Sequence, residues 1–126
     1  PAAGEHLFER VKSLRELEGR LAEAKAAGKP VMIDYYADWC TDCLRMEKAT
    51  FAVPAVRAEM TGRFALLQVD VTDPNDAEAK AMKQRFGVFG PPAMLFFDAS
   101  GAERRDLRAY GFRGPDEFLG MLRQVK

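Results

Sequence analysis

The chain has 126 residues, 48% of them hydrophobic, with 19 basic and 19 acidic side chains and a formal net charge of zero. That length fits one domain of ordinary size, and the apolar fraction suffices for a core without disulfide staples. The charge balance argues against nucleic acid or an anionic membrane surface as a partner, and no apolar run reaches the roughly 18 residues of a membrane span.

The chain opens PAAGEHLFERVK, with neither an initiator Met nor a signal-peptide pattern, and reads as an excised domain or a processed product. Residues 1–12 are the least patterned and read as a loose lead-in to one domain spanning 1–126. Ser13-Leu14-Arg15-Glu16 has capping-box form, and Leu14, Leu17, Leu21 and Ala24 then share one helical face. Gly28 and Pro30 stop that helix. The run VMIDYY (Val31 to Tyr36) is apolar on both faces except at Asp34, as a doubly covered central strand requires. The chain turns through ADW into a helix beginning near Cys40. Pro54 suits the first position of a second helical piece that ends near Met60.

FALLQVD (Phe64 to Asp70) is a second buried strand. Asp73-Pro74 has the form of an N-cap followed by Pro at N1, predicting a helix to about Arg85 that Gly87 closes. AMLFFD (Ala93 to Asp98) is a third strand. After the ASG turn, Glu103 to Tyr110 reads as a more polar edge strand. Gly114-Pro115 opens a last helix with Phe118, Leu122 and Val125 on one face. The order α-β-α-β-α-β-β-α predicts a three-layer α/β/α sandwich with a central mixed β-sheet. Sites in such sheets favour the carboxyl ends of strands. VMIDYY feeds its carboxyl end directly into ADWCTDC.

Cys40 and Cys43 are the chain's two cysteines. A structural bridge across so short a loop would stabilise little. Zinc needs about four ligands, and beyond the pair the strong candidate is His6, in the lead-in. CxxC at a strand-to-helix junction instead reads as a redox pair. Cys40, at the helix start, faces unpaired backbone N–H groups that favour thiolate, so it is the candidate nucleophile. Cys43, one turn further in and more shielded, is the resolving thiol. Trp39, beside the nucleophile, is a core residue or a shield that shapes the site.

Two acids stand out. An ionised Asp34 is costly in the middle of an apolar strand. Glu47 follows Cys43 by four residues and Cys40 by seven, which places all three on one helical face, or else it is a plain surface charge. Near the thiols, both acids would raise thiol pKa values against the helix dipole and could relay protons to Cys43. Asp42 adds a third negative charge, of small effect if it faces solvent. Pro91-Pro92 is either a rigid turn or a cis bond before Pro92 that packs on the CxxC and presents backbone groups to a substrate strand. No cofactor beyond the cysteine pair and no metal is expected.

GKPVMIDYYADWCTDC, MEKATF and GPPAMLFFDASG together resemble the thioredoxin superfamily. More narrowly, they resemble the carboxyl-terminal periplasmic domains of the DsbD family of thiol:disulfide interchange proteins, over about Glu5 to Val125. The resemblance implies a reductant in the periplasm, part of an inner-membrane protein. A transmembrane domain would supply its electrons, and an amino-terminal immunoglobulin-like domain would receive them for disulfide isomerisation and cytochrome c maturation. It further implies that Cys40 is the nucleophile, Cys43 its partner, Asp34 and Glu47 the tuning acids and Pro92 the cis-proline. Thr41-Asp42 and Pro91 depart from the family pattern. A free-standing thioredoxin-like reductase and a non-catalytic binding module are the alternatives, and monomer is the default state.

Overall fold

The computed structural model describes residues 7–126, so His6 and the first half of the lead-in lie outside the described residues. The rest of the lead-in is not loose. Leu7, Phe8 and Val11 are buried, and Glu9–Arg10 forms strand β1, pairing in parallel with a strand β3 (Ala65–Asp70). Two residues are too few for a strand period to show, so only the tertiary pairing reveals this edge.

Helix α1 (Leu14–Ala26) begins where Ser13 Oγ accepts a hydrogen bond from the Glu16 amide at 3.0 Å. The Glu16 carboxylate accepts from the Lys12 amide rather than from Ser13, so half of the capping box forms. Gly28 takes the left-handed conformation (φ 64°) that ends the helix. Strand β2 (Val31–Tyr36) is buried throughout, between β3 and β4 (Ala93–Phe97). The sheet order is β1-β3-β2-β4-β5, with β5 at Ala109–Tyr110. The first three strands run parallel, β4 runs against β2, and β5 against β4.

Two expected elements are placed differently. Helix α4 (Ala77–Phe86) starts three residues later than Asp73 suggests, with Asp76 Oδ1 accepting from the amides of Glu78 and Ala79. Asp73 closes a turn by accepting from the Asn75 amide. Both Asp-initiated starts satisfy backbone donors locally, and the later one carries Ala79, Met82 and Phe86 into the core. Between Glu103 and Tyr110 there is no continuous strand. A single bridge pairs Glu103 with Phe97, a 3₁₀ turn (Arg105–Leu107) buries Leu107, and pairing resumes in β5. The buried-side ion pair of Arg108 with Glu103 closes that excursion.

The remaining helices are α2 (Thr41–Arg45), α3 (Pro54–Arg63) and α5 (Pro115–Gln124), with a π-helical run Met46–Phe51 continuing α2. Alternation along β2 divides the core in two. Val31, Ile33 and Tyr35 join the cluster beneath α1 and α4. Met32 joins Met46, Met60, Phe96 and Phe118 beneath α3, α5 and the π-helical run. Phe118 lies 5.6 Å from Phe51 and 6.0 Å from Phe96, ring centre to ring centre. Both sheet faces are thus covered, the three-layer arrangement that the element order predicts.

Candidate active site

The carboxyl end of β2 delivers Ala37-Asp38-Trp39 to the start of α2. Thr72, just past β3, anchors this turn. Its Oγ1 accepts from the Asp38 amide at 2.9 Å, and its carbonyl accepts from Trp39 Nε1 at 3.0 Å. Trp39 is therefore no core residue. It is 62% exposed, with its indole tied to the site's rim.

Cys40 and Cys43 form a disulfide with their Cα atoms 5.2 Å apart. Their surroundings differ more than their exposures, which are 6% and 4%. Cys40 is the N-cap of α2, and its sulfur accepts a hydrogen bond from the Cys43 amide at 3.2 Å. Cys43 Sγ instead lies 3.9 Å from the Tyr35 carbonyl oxygen. A donor facing one sulfur favours thiolate there, whereas an acceptor facing the other favours the protonated thiol. The chemistry therefore separates the two sulfurs although accessibility barely does.

Asp34 is buried and points to the same sheet face as Met32. Gln68, on the neighbouring strand, donates from Nε2 to Asp34 Oδ2 at 2.9 Å. Burial pushes the Asp34 carboxyl up to about 7; the Gln68 hydrogen bond and the Arg10 charge oppose this, and the Glu47 charge adds to it. Glu47 is partly buried and acts electrostatically on Asp34, so the structure brings these two acids together. Glu47 is the second residue of the π-helical run that continues α2, and Arg45 and Met46 before it keep α-helical backbone geometry. Thr50 fastens that run by donating to the Arg113 carbonyl at 2.6 Å. Asp42 pairs with Arg45 at the surface, at 3.2 Å.

The Pro91–Pro92 peptide bond is cis, and Pro92 is buried. Pro92 immediately precedes Ala93, which pairs with Tyr35, so it stands one residue from the strand position whose carbonyl faces Cys43. Its own carbonyl accepts from the Gly111 amide at 3.2 Å.

Gln68, Arg10, Thr72 and Phe89 are the site and rim residues that sequence reasoning missed. Gln68 had a signal: like Asp34, it interrupts an apolar run in the interior of a strand. Phe89, just before the Pro91–Pro92 turn, is 96% exposed. Among the described residues, no group of three or more His, Cys, Asp and Glu side chains could hold a metal ion. No helix among them is long and apolar enough to cross a membrane.

A family model described as a thioredoxin-like domain matches residues 17–126. The chain is 44% identical over 125 residues to the thiol:disulfide interchange protein DsbD of Ralstonia nicotianae, covering 99% of this chain and 20% of that protein. Against DsbD of Escherichia coli K12 it is 43% identical over 116 residues, 92% of this chain and 20% of that protein. It therefore spans about one fifth of the length of these relatives. Among solved structures, the DsbD carboxyl-terminal domain of Neisseria meningitidis in the oxidised form superposes with a TM-score of 0.78 at 30% identity, covering 94% of this chain and 100% of that one. A thioredoxin of Thermus thermophilus superposes at 0.72 with 28% identity, covering 93% and 85%. With its fold, its CxxC at the strand-to-helix junction and these relatives in agreement, the chain belongs to the thioredoxin-like family and, within it, to the carboxyl-terminal domains of DsbD.

Proposed function

We propose that this thiol–disulfide exchange domain works as a reductant in the periplasm, as part of an inner-membrane protein. It takes electrons from a membrane-embedded domain and passes them to an immunoglobulin-like partner domain. That partner in turn serves disulfide isomerisation and cytochrome c maturation. The observation that carries the reading is the asymmetric Cys40–Cys43 pair, with one sulfur facing an amide and the other a carbonyl.

In the reduced domain, the Cys40 thiolate attacks one sulfur of the partner disulfide. A Cys40–partner bond forms, the partner S–S bond breaks, and the second partner sulfur leaves as thiolate and takes a proton. Cys43 then gives its proton to a nearby base and attacks Cys40 Sγ. The intramolecular disulfide forms, and the partner's first sulfur departs as thiolate. Two electrons have moved to the partner. Asp34 is the proposed base, because its carboxyl is poised near neutrality and it adjoins Tyr35, whose carbonyl faces Cys43. Glu47 sets the charge around Asp34. Pro92 and Trp39 flank the approach, where an extended segment of the partner would lie.

A redox titration of the pair, following trapped thiols by mass, tests the direction of flow. A reductant should sit at about −200 mV or lower, toward thioredoxin at about −270 mV. A value near that of DsbA, about −120 mV, would make the domain an oxidant and overturn the proposal. Cys40→Ser should abolish transfer to the immunoglobulin-like domain. Reduction of an unrelated disulfide protein as fast as that of the immunoglobulin-like domain would point to a general reductase.

A further inference from the structure

Register aligns four side chains in one row across the sheet: Arg10 on β1, Gln68 on β3, Asp34 on β2 and Met94 on β4. The first three are joined. Arg10 Nε donates to Gln68 Oε1 at 2.8 Å, and Gln68 Nε2 donates to Asp34 Oδ2 at 2.9 Å. A guanidinium has donors and no acceptor, so whatever atom of Gln68 it meets must be the oxygen. Its presence selects one of the two amide orientations and turns the NH₂ toward the acid. Arg10 is itself held on two further sides. Its Nη1 donates to Asp70 Oδ2 at 2.9 Å, and its guanidinium carbon lies 5.1 Å from the centre of the Tyr36 ring.

We propose that Arg10 is a positioning residue for the buried acid: by locking the Gln68 amide it keeps a donor on Asp34 Oδ2 and leaves Oδ1 as the oxygen that takes up and releases the proton. Without that lock the amide is free to turn. It could then offer its oxygen to a protonated Asp34 as readily as its NH₂ to an ionised one, and the preference for the carboxylate would be lost. The charged groups bearing on Asp34 are Arg10 from β1 and Glu47 from the π-helical run, with Gln68 and Met94 neutral beside it. Among the groups bearing on Asp34, Arg10 and Gln68 are the two that favour its ionised form. Arg10 is reached only through a two-residue edge strand, so the segment before α1 contributes to the chemistry of the site as well as to its packing.

The inference rests on the reading that Asp34 tunes the thiols, and the experiment separates the two. Asp34 would be titrated by carbon-13 NMR of its carboxyl in the oxidised domain, and Cys40 by the pH profile of alkylation in the reduced domain. Arg10→Met should raise the Asp34 midpoint by about half a pH unit or more, while thermal unfolding confirms an intact fold. Gln68→Met should raise it too, and adding Arg10→Met to Gln68→Met should then change it by less than a third of the Arg10→Met effect. Gln68→Asn, too short to span both partners, serves the same purpose if the Met variant does not fold. An equal Arg10→Met shift with and without Gln68 would show that Arg10 acts through space by charge alone, and the positioning role fails. No shift in Arg10→Met at all sinks it as well. If Asp34→Asn leaves the Cys40 profile unmoved while the Arg10 shift persists, it is the reading of Asp34 as thiol-tuning that fails, not the positioning.

Discussion

Gln68 and Asp34 face each other on adjacent parallel strands, and the Gln68 amide donates to Asp34 Oδ2 at 2.9 Å with both side chains buried. One neutral donor compensates an ionised carboxylate only in part. The outcome is a carboxyl pushed up to about 7 from its ordinary value of 3.8.

That elevation predicts how stability varies with pH. The native state holds the Asp34 proton up to about pH 7, whereas the unfolded chain releases it near pH 4. The unfolded state therefore binds fewer protons between these values, and stability falls as pH rises across that window. The contribution is complete below the unfolded value and is lost as pH passes through the folded one. Its upper size is about 4 kcal/mol. Asp34→Asn retains an oxygen for Gln68 and removes the titration. In denaturant melts of the oxidised domain, the variant should lose this slope and be the more stable protein at pH 8. Parallel curves for both proteins from pH 4 to 8 would contradict the burial argument.

A second consequence concerns the nucleophile. Negative charge beside a sulfur disfavours its thiolate, so acids placed near the thiols would oppose the amide that faces Cys40. Asp34→Asn combined with Glu47→Gln should move the alkylation profile of Cys40 to lower pH by about one unit. An unchanged profile would place the acids too far from the thiols to matter.

What could be read in the sequence followed from local contrast. Asp34 is legible because a carboxylate in VMIDYY violates the strand's own pattern, and CxxC because spacing and position agree. Gln68 makes the same break in FALLQVD, but an amide is a milder violation, and its meaning depends on a register that only the folded sheet supplies. Arg10 was hidden more deeply. It reads as a surface charge until β1 pairs with β3. The π-helical run was equally opaque, since nothing in MEKATF departs from a good α-helix pattern. Its wider turn is fixed by tertiary anchors, including Thr50 on the Arg113 carbonyl. Phe89 is a different case, because nothing in FGPP distinguishes an exposed aromatic from a core one.

The packed segment before α1 makes a third prediction. Phe8 meets Phe51 edge-on at 5.6 Å, and Phe51 ends the π-helical run that carries Glu47. Phe8→Ala should destabilise the domain by roughly 3–5 kcal/mol, read by chemical denaturation. A change below about 0.5 kcal/mol, the range of ordinary surface substitutions, would restore the loose lead-in.

The last prediction separates docking from chemistry. Phe89 and Trp39 are exposed large apolar side chains, one ahead of the cis-proline turn and the other beside Cys40. Isolated exposed aromatics are unremarkable, but if these two act together they would anchor a protein substrate. Phe89 gains little from burial within its own chain, so Phe89→Ala should leave the unfolding midpoint unchanged. It should lower kcat/KM toward the proposed immunoglobulin-like partner by roughly 5–30-fold, equivalent to about 1–2 kcal/mol of lost contact. Reduction of a small aromatic disulfide, which needs the sulfur and no anchor, should proceed at the parental rate. Equal losses on both substrates would mean that Phe89 supports the geometry of the Pro92 turn instead of the partner. A loss confined to the protein substrate would identify this rim as the surface on which the electron acceptor docks.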